Sequence, residues 1–364
     1  MNHFPFLIGK KVLLVSHELS LTGAPLLLVE TATTLVKSGA EVTLINAGFH
    51  DRVFVLPALE GFRTLPIEES FAAANEADLI IANTAATKDW VGQLLAAHPG
   101  AGRRLIWWIH EMQTDFFGQD MSCLSQASAA IFDSESSRSI WQQTDLTMPA
   151  TTRVIHPAIA ADFLRAADER QRAPRDMTAS RLGSMSSREA IRAQLNVADE
   201  DFLVSLFGSY CDRKGHDLLV ETMGEMVKNQ PDLPLKLLLI GFRGESERQE
   251  FLNAHAEVCA PTLDPTRVLQ EVFDLKPYYL ASDAFVMNTQ DEGEAFGRVT
   301  IEAMAFGLPI LGTACGGTRE IVVDGVTGLL HPPGNEGKSV LAAHILQLLN
   351  ERSRAAALGE AGLR

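Results

Sequence analysis

The chain has 364 residues, of which 46% are apolar and 21% charged, proportions ordinary for a globular protein and unlike those of a disordered or coiled-coil chain. At roughly 100–200 residues per domain there is room for two or three domains, each with a full core. Lys plus Arg is 31 against 46 for Asp plus Glu, a formal charge of −15 that repels phosphate backbones; with no basic patch to offset it, no nucleic-acid partner is expected.

The amino terminus lacks the basic, apolar and small-residue sections of a signal peptide and runs straight into a strand-like segment. Val12–Ser16, Glu41–Asn46, Leu79–Asn83, Leu105–Ile109, Ala130–Ser134 and Arg153–His156 are short and rich in Val, Ile and Leu, and most end in a small or polar residue. This is the pattern of buried parallel strands. Between the first two lies a helix: Pro25 suits a first turn, Leu28, Ala32, Leu35 and Val36 share one face, and Gly39 is placed to cap it after Lys37. Strand–helix–strand units of this kind predict an α/β fold with a doubly wound parallel sheet.

From Asp162 to Asp201 the character changes. Arg165–Arg175 is charged and polar, Thr178–Ser187 carries Ser and Met, and Arg188–Leu195 is helical. This predicts an amino-terminal domain over residues 1–160, an exposed connection over 161–200 and a carboxyl-terminal domain over 201–364. Further strands are expected at Phe202–Gly208, Leu235–Gly241, Ala284–Asn288, Pro309–Thr313 and Gly328–Leu330. Two such domains suggest a ligand cleft between them. No internal repeat is visible, and no run of 18 apolar residues predicts a transmembrane helix. Cys123, Cys211, Cys259 and Cys315 are far apart and form no CxxC pair, so a reducing cytoplasm is expected rather than a zinc site or disulfide scaffold.

In open parallel sheets, ligands bind beyond the carboxyl ends of the strands, and the conspicuous polar and glycine residues fall there. Ser16, His17 and the loop from Leu21 through Gly23, Ala24 and Pro25 follow the first strand; His110 and Glu111 follow Leu105–Ile109. In the second half, Gly208 and Ser209, then Arg213-Lys214-Gly215, follow Phe202–Gly208. Gly241 ends the next strand, and the run Asp291–Gly297 follows Ala284–Asn288. The turn at Gly23 either offers helix-start amides to an anion or is simply a tight turn; it matches neither a dinucleotide fingerprint nor a phosphate loop. Arg213 and Lys214 either hold a diphosphate or begin a solvated helix. Glu294 in a loop, and Glu302 about two turns inside the following helix, either grip one polyhydroxylated ligand or are surface glutamates. The amides of Phe296, Gly297 and Arg298 lie between them at a positive helix end. His110 is either a hydrogen-bonded structural residue or a group of the site.

These residues carry a resemblance to a known family. Asp283–Thr289, Glu294 through Glu302 to Ile310, then Gly316-Gly317-Thr-Arg-Glu320 and Asp324–Gly328, are similar to the signature of glycosyltransferase family 4, in the usual order. The resemblance covers nearly the whole chain and is strongest from Tyr278 to Pro333. It implies the GT-B fold, two Rossmann-like domains facing across a cleft, and transfer of a sugar from a nucleotide diphosphate sugar, most often a uridine one, with retention of configuration. By that resemblance Glu302 binds the ribose, Glu294 the hydroxyls of the transferred hexose, and Arg213 and Lys214 the diphosphate. Gly23 and Ala24 close on that diphosphate, and His110 stands by the donor sugar and the acceptor. Ser209, Gly241, Phe296, Gly297 and Arg298 line the donor site, with Leu239–Phe242 and Arg267–Leu269 near the base. No cofactor and no metal are implied, and the departing diphosphate, rather than a protein base, takes the acceptor proton. The acceptor is a carbohydrate, a lipid or another small molecule, which leaves both a cytoplasmic location and peripheral contact with a membrane open.

The sequence departs from the family in two places. Ser209 stands where members often carry an arginine after the glycine that ends the first strand of the second domain. The chain also stops at Arg364, before the terminal helix with which many members cross back to the first domain. Two rival functions follow: a nucleotide-sugar epimerase of the same fold, and a catalytically weak sugar-nucleotide-binding protein.

Overall fold

A computed structural model describes residues 4–20, 22–48, 62–112, 121–172, 188–256 and 264–364. Leu21, Cys259, Thr178–Ser187 and the end of Arg165–Arg175 lie outside the described residues. The chain divides into two compact units, Met1–Pro157 and Ala158–Arg364.

The first unit is a seven-stranded parallel sheet. Its strands are β1 (Lys11–Ser16), β2 (Glu41–Asn46), β3 (Arg63–Leu65), β4 (Leu79–Asn83), β5 (Leu105–Ile109), β6 (Ala129–Phe132) and β7 (Thr152–Val154), in the order β3-β2-β1-β4-β5-β6-β7. Alternate residues of β1 serve opposite faces. Leu13 and Val15 join one core with Ile80, Leu105 and Trp107, while Val12 and Leu14 join the other with Leu44 and Trp108. Because both faces are covered, the strands read as continuous apolar runs rather than alternating ones. The second unit repeats the plan with β8 (Phe202–Phe207), β9 (Leu235–Phe242), β10 (Val268–Gln270), β11 (Ala284–Met287), β12 (Ile310–Thr313) and β13 (Gly328–His331), in the order β10-β9-β8-β11-β12-β13. Here Val204 and Leu206 face one core, Leu203 and Phe207 the other. In each sheet the strand order reverses beside the first strand, at β1/β4 and β8/β11, which opens a crevice at the carboxyl ends.

Two three-residue strands, β3 and β10, escape the sequence pattern: both are edges, and exposed Arg63 and Thr64 give β3 no apolar run. The expected Ala130–Ser134 strand stops at Phe132, because Ser134 caps the helix Glu135–Gln142 by accepting the Ser137 amide at 3.0 Å. The segment expected to be an exposed connection is instead partly built into the second unit. The helix Ala161–Arg172 buries Ala166 and Ala167 in that core. From the helix Arg188–Gln194, buried Arg192 donates to the carbonyls of Ala281 (3.0 Å) and Asp201 (2.9 Å) and pairs with Asp283 at 3.0 Å. Arg188 reaches the same carboxylate at 2.5 Å.

Candidate functional site

In the second unit the cationic corner is positioned by backbone contacts. Asp212–Lys214 forms a 3-10 turn, and Gly215, at φ +67°, turns the chain into the helix His216–Asn229. A Cβ on Gly215 would stand 2.2 Å from the Asn288 carbonyl oxygen, so only glycine lets the turn reach the end of β11. Asn288 answers by donating its side-chain amide to the Gly215 carbonyl at 2.7 Å, and the Gln290 amide donates to the Arg213 carbonyl, also at 2.7 Å.

These bonds bring three of the expected site residues together. Lys214 Nζ donates to Glu294 Oε2, and Arg213 Nη1 lies 3.6 Å from the same oxygen and 3.2 Å from the Gly293 carbonyl. Burial pushes the Glu294 carboxyl up, but Lys214 and then Arg213 outweigh it and hold the group below the ordinary carboxylate range. From the other side, the Gly317 amide donates to the Glu294 carbonyl at 2.7 Å. Cβ atoms on Gly316 and Gly317 would come within 2.5 Å of the carbonyls of Glu294 and Ala295, which accounts for the double glycine: main chain packs on main chain.

The helix Arg298–Ala305 opens at Gly297 without a side-chain cap, and Phe296 is buried just before it. Glu302 is its fifth residue, one turn inside rather than the expected two, because the helix begins no earlier than Arg298. Its carboxylate is buried and accepts from Arg298 Nε (3.0 Å) and from the Tyr279 hydroxyl (3.0 Å). Arg298 therefore engages Glu302 through its guanidinium. Gly241 lies inside β9, and its carbonyl accepts the Tyr210 amide at 2.9 Å. The Ser209 hydroxyl donates to Glu271 at 3.1 Å. Arg267 is buried, and its guanidinium donates to the Leu195 carbonyl at 3.1 Å.

In the first unit, the helix Gly23–Lys37 begins without a side-chain cap. The Thr22 hydroxyl donates instead to Glu18 (3.1 Å), as does Ser20 (2.7 Å). A Cβ on Gly23 would meet open space. The first-turn amides of Gly23 and Ala24 thus sit at the positive end of a helix dipole. Beside them the ends of β4, β5 and β6 form one polar network. His110, its side chain 9% exposed, holds Asp133 through Nδ1 at 2.7 Å and Asn83 Oδ1 through Nε2 at 2.8 Å. Asn83 Nδ2 in turn donates to the Ser16 hydroxyl and the Ala24 carbonyl, both at 3.3 Å. Trp108 donates to the other Asp133 oxygen at 2.8 Å. Burial pulls the His110 pKa down, but Asp133 and Glu111 more than offset this and raise it. Thr84, next to Asn83, has φ +76°, a conformation costly for a β-branched residue, and its hydroxyl lies 2.9 Å from His17 Nδ1.

The sequence places Asn83 and Asn288 only as strand ends and Asp133 only inside the expected strand Ala130–Ser134, and it does not single out Tyr279. The available signal was a polar residue closing an apolar run: burial there obliges such a group to find partners. Among the described residues, no group of three or more His, Cys, Asp or Glu side chains is placed to hold a metal ion, and no helix is long and apolar enough to cross a membrane.

Comparison with known proteins adds to this geometry. Residues 8–171 match the family model described as glycosyl-transferase family 4, and residues 187–364 match the model described as glycosyl transferases group 1. A D-inositol 3-phosphate glycosyltransferase of Kribbella flavida is 31% identical over 189 residues, covering 50% of this chain and 40% of that protein. Spore coat protein SA of Bacillus subtilis is 27% identical over 177 residues, covering 48% and 46%. The chain thus spans less than half the length of these curated relatives. Among solved structures, Anabaena HepE in complex with UDP-glucose is similar at 22% identity and a TM-score of 0.76, covering 97% of this chain and 93% of that one. The sucrose-phosphate synthase of Thermosynechococcus elongatus is similar at 20% identity and a TM-score of 0.69, covering 97% and 93%. At these identities the likeness establishes the fold, which is GT-B.

Proposed function

The chain belongs to glycosyltransferase family 4, and from that premise we propose that it transfers a sugar from a nucleotide diphosphate sugar to an acceptor hydroxyl, with retention at the anomeric carbon. The observation that carries this reading is the shared carboxylate: Arg213 and Lys214 are held by backbone bonds where both reach Glu294. Two half-buried cations converging on one anion suit a diphosphate, whose charge grows as the glycosidic bond breaks. Glu294 then accepts hydrogen bonds from the sugar, and Glu302, fixed by Arg298 and Tyr279, from the ribose. The uncapped helix starts at Gly297 and at Gly23–Ala24 offer amides to anionic oxygens.

In the step proposed, the bond from the anomeric carbon to the β-phosphate oxygen breaks with its electron pair leaving on the diphosphate. The acceptor oxygen bonds to the same face of that carbon and gives its proton to the departing phosphate. Glu294, committed to two cations, is poorly suited to act as a base, and His110 has both ring nitrogens engaged. Arg213 and Lys214 meet the leaving-group charge, so no metal is assigned. A uridine diphosphate sugar is the proposed donor, in keeping with the UDP-glucose bound by the Anabaena protein of the same fold.

Thermal-shift screening against a panel of nucleotide sugars tests the donor, since a ligand of the folded state raises the melting temperature. Incubation of the stabilising donor with candidate acceptors then tests transfer, and the product's anomeric configuration separates retention from epimerisation. Binding without turnover of any acceptor or of water would leave a sugar-nucleotide-binding protein.

A further inference from the structure

The two units share an arrangement that the sequence conceals. In the first, Asn83 ends the fourth strand in chain order, accepts from His110 Nε2 through Oδ1 (2.8 Å), and donates through Nδ2 to the carbonyl of Ala24 (3.3 Å) in the first turn of the helix that follows β1. In the second, Asn288 follows the fourth strand, β11. It meets His331 Nε2 through Oδ1 (3.1 Å) and donates through Nδ2 to the carbonyl of Gly215 (2.7 Å), the residue that opens the helix after β8. Both asparagines are about 1% exposed or less.

The chemistry of each bridge is determined by its ends. A carbonyl only accepts, so each asparagine must turn its NH2 toward the helix start, which leaves its oxygen facing the histidine. Each Nε2 must then carry a proton. The opposite amide orientation would set oxygen against oxygen at both helix starts. His110 and His331 satisfy the requirement differently. Nδ1 of His110 faces the Asp133 carboxylate, so both of its nitrogens donate and the ring is an imidazolium; Glu111 beside it and His17 from the loop after β1 are the other titratable groups that act on it. His331 is fully buried with no partner on Nδ1, and His344, itself lowered by burial, is the titratable neighbour that acts on it; burial pulls His331 down to about 4, and with Asn288 Oδ1 facing Nε2 its proton sits there, the neutral Nε2–H tautomer.

We propose that Asn83 and Asn288 are paired positioning residues, each passing a histidine N–H bond on to the helix-start turn of its own unit and so fixing where that turn presents its anion-binding groups. For Asn288 the turn carries Arg213 and Lys214; for Asn83 it carries the amides of Gly23 and Ala24. The anion-binding role of those turns rests on the function proposed above. The bridges themselves do not.

The test has two arms. In wild-type protein labelled with 15N-histidine, with resonances assigned through His110→Gln and His331→Gln, the expected result at pH 7.5 is Nε2 protonated in both rings and Nδ1 protonated in His110 alone. An unprotonated Nε2 in either ring overturns the corresponding bridge. In the second arm, UDP binding is measured by calorimetry for wild type, Asn288→Asp and Asn83→Asp, each nearly isosteric and each turning an anion toward the helix-start carbonyl. We expect Asn288→Asp to weaken UDP by tenfold or more. For Asn83→Asp we expect a lower kcat with the donor, while the His110 pKa moves further up because a second carboxylate faces the ring. Wild-type-like UDP affinity and kcat in both variants, in a wild type that binds UDP, overturns the positioning role. If the wild type binds no UDP at all, the nucleotide-sugar reading fails, and the ring-nitrogen arm decides the bridges alone.

Discussion

Glu294→Gln separates binding from turnover. Lys214 and Arg213 both engage the Glu294 carboxylate, so a diphosphate must compete with it for both cations. A hydrogen bond to a charged group contributes about 1.5–3 kcal/mol, and the three side chains are 19–29% exposed, so solvent screening puts the Lys214–Glu294 pair at the lower end, about 1.5 kcal/mol. Replacing the carboxylate by an amide removes that competition. UDP itself, which lacks the sugar, should therefore bind Glu294→Gln roughly tenfold more tightly than wild type. The complete donor should turn over more slowly, because an amide is a weaker acceptor for sugar hydroxyls. Calorimetry with UDP at two salt concentrations, alongside initial rates, reads both effects, and the gain for UDP should shrink at high salt. UDP affinity equal to or below that of wild type would mean that the two cations do not hold the diphosphate, and the reasoning would fail at its first step.

Further expectations follow from the same geometry. Gly317→Ala sets a methyl group within 2.5 Å of the Ala295 carbonyl and should cost about 1–3 kcal/mol in denaturant unfolding while lowering donor affinity, since the displaced main chain carries Glu294. Tyr279→Phe removes one of the bonds that orient Glu302 and should raise the KM for the donor more than it lowers kcat; an effect confined to stability would argue against the ribose contact. The second unit should be acid-sensitive. Burial, with Lys214 adding to it, pulls His216 down to about 3, and burial pulls His331 down to about 4, from an ordinary imidazole value of 6.5. Groups depressed on folding contribute stability that is present above the unfolded pKa and is lost as pH falls, so each should cost about 2 kcal/mol by pH 5. Melting curves from pH 7.5 to 5 in wild type and His331→Gln test the second of these. His110 works in the opposite sense: its raised pKa favours the folded state at low pH and that contribution fades as pH rises, a slope that Asp133→Asn should flatten.

The strand interiors were legible from sequence because parallel strands buried on both faces are predominantly apolar, and β2, β4 and β5 have the bounds the sequence predicts. The edges β3 and β10 were not, since an edge strand of three residues needs neither alternation nor a long apolar run. The Arg213, Lys214 and Glu294 cluster was legible as two separate motifs, Arg213-Lys214-Gly215 and Glu294 through Glu302. What sequence could not supply was their meeting point, which depends on Gly215 passing against Asn288 and on Gly317 donating to Glu294. Asn83, Asp133 and Tyr279 stayed hidden for a different reason. Each is a common residue type at an unremarkable position, and only tertiary contact gives it a role.

The arginine clasp on Asp283 bears on how the second half could be obtained as an autonomous fragment. A cut at residue 200, where the sequence suggests a boundary, would discard Arg188 and Arg192 and strand a carboxylate that is only 16% exposed, along with the carbonyls of Ala281 and Ser282. Truncation after Pro157 keeps the whole clasp. The two described helices of what looks like tether, Ala161–Arg172 and Arg188–Gln194, are in folding terms the opening stretch of the domain they precede.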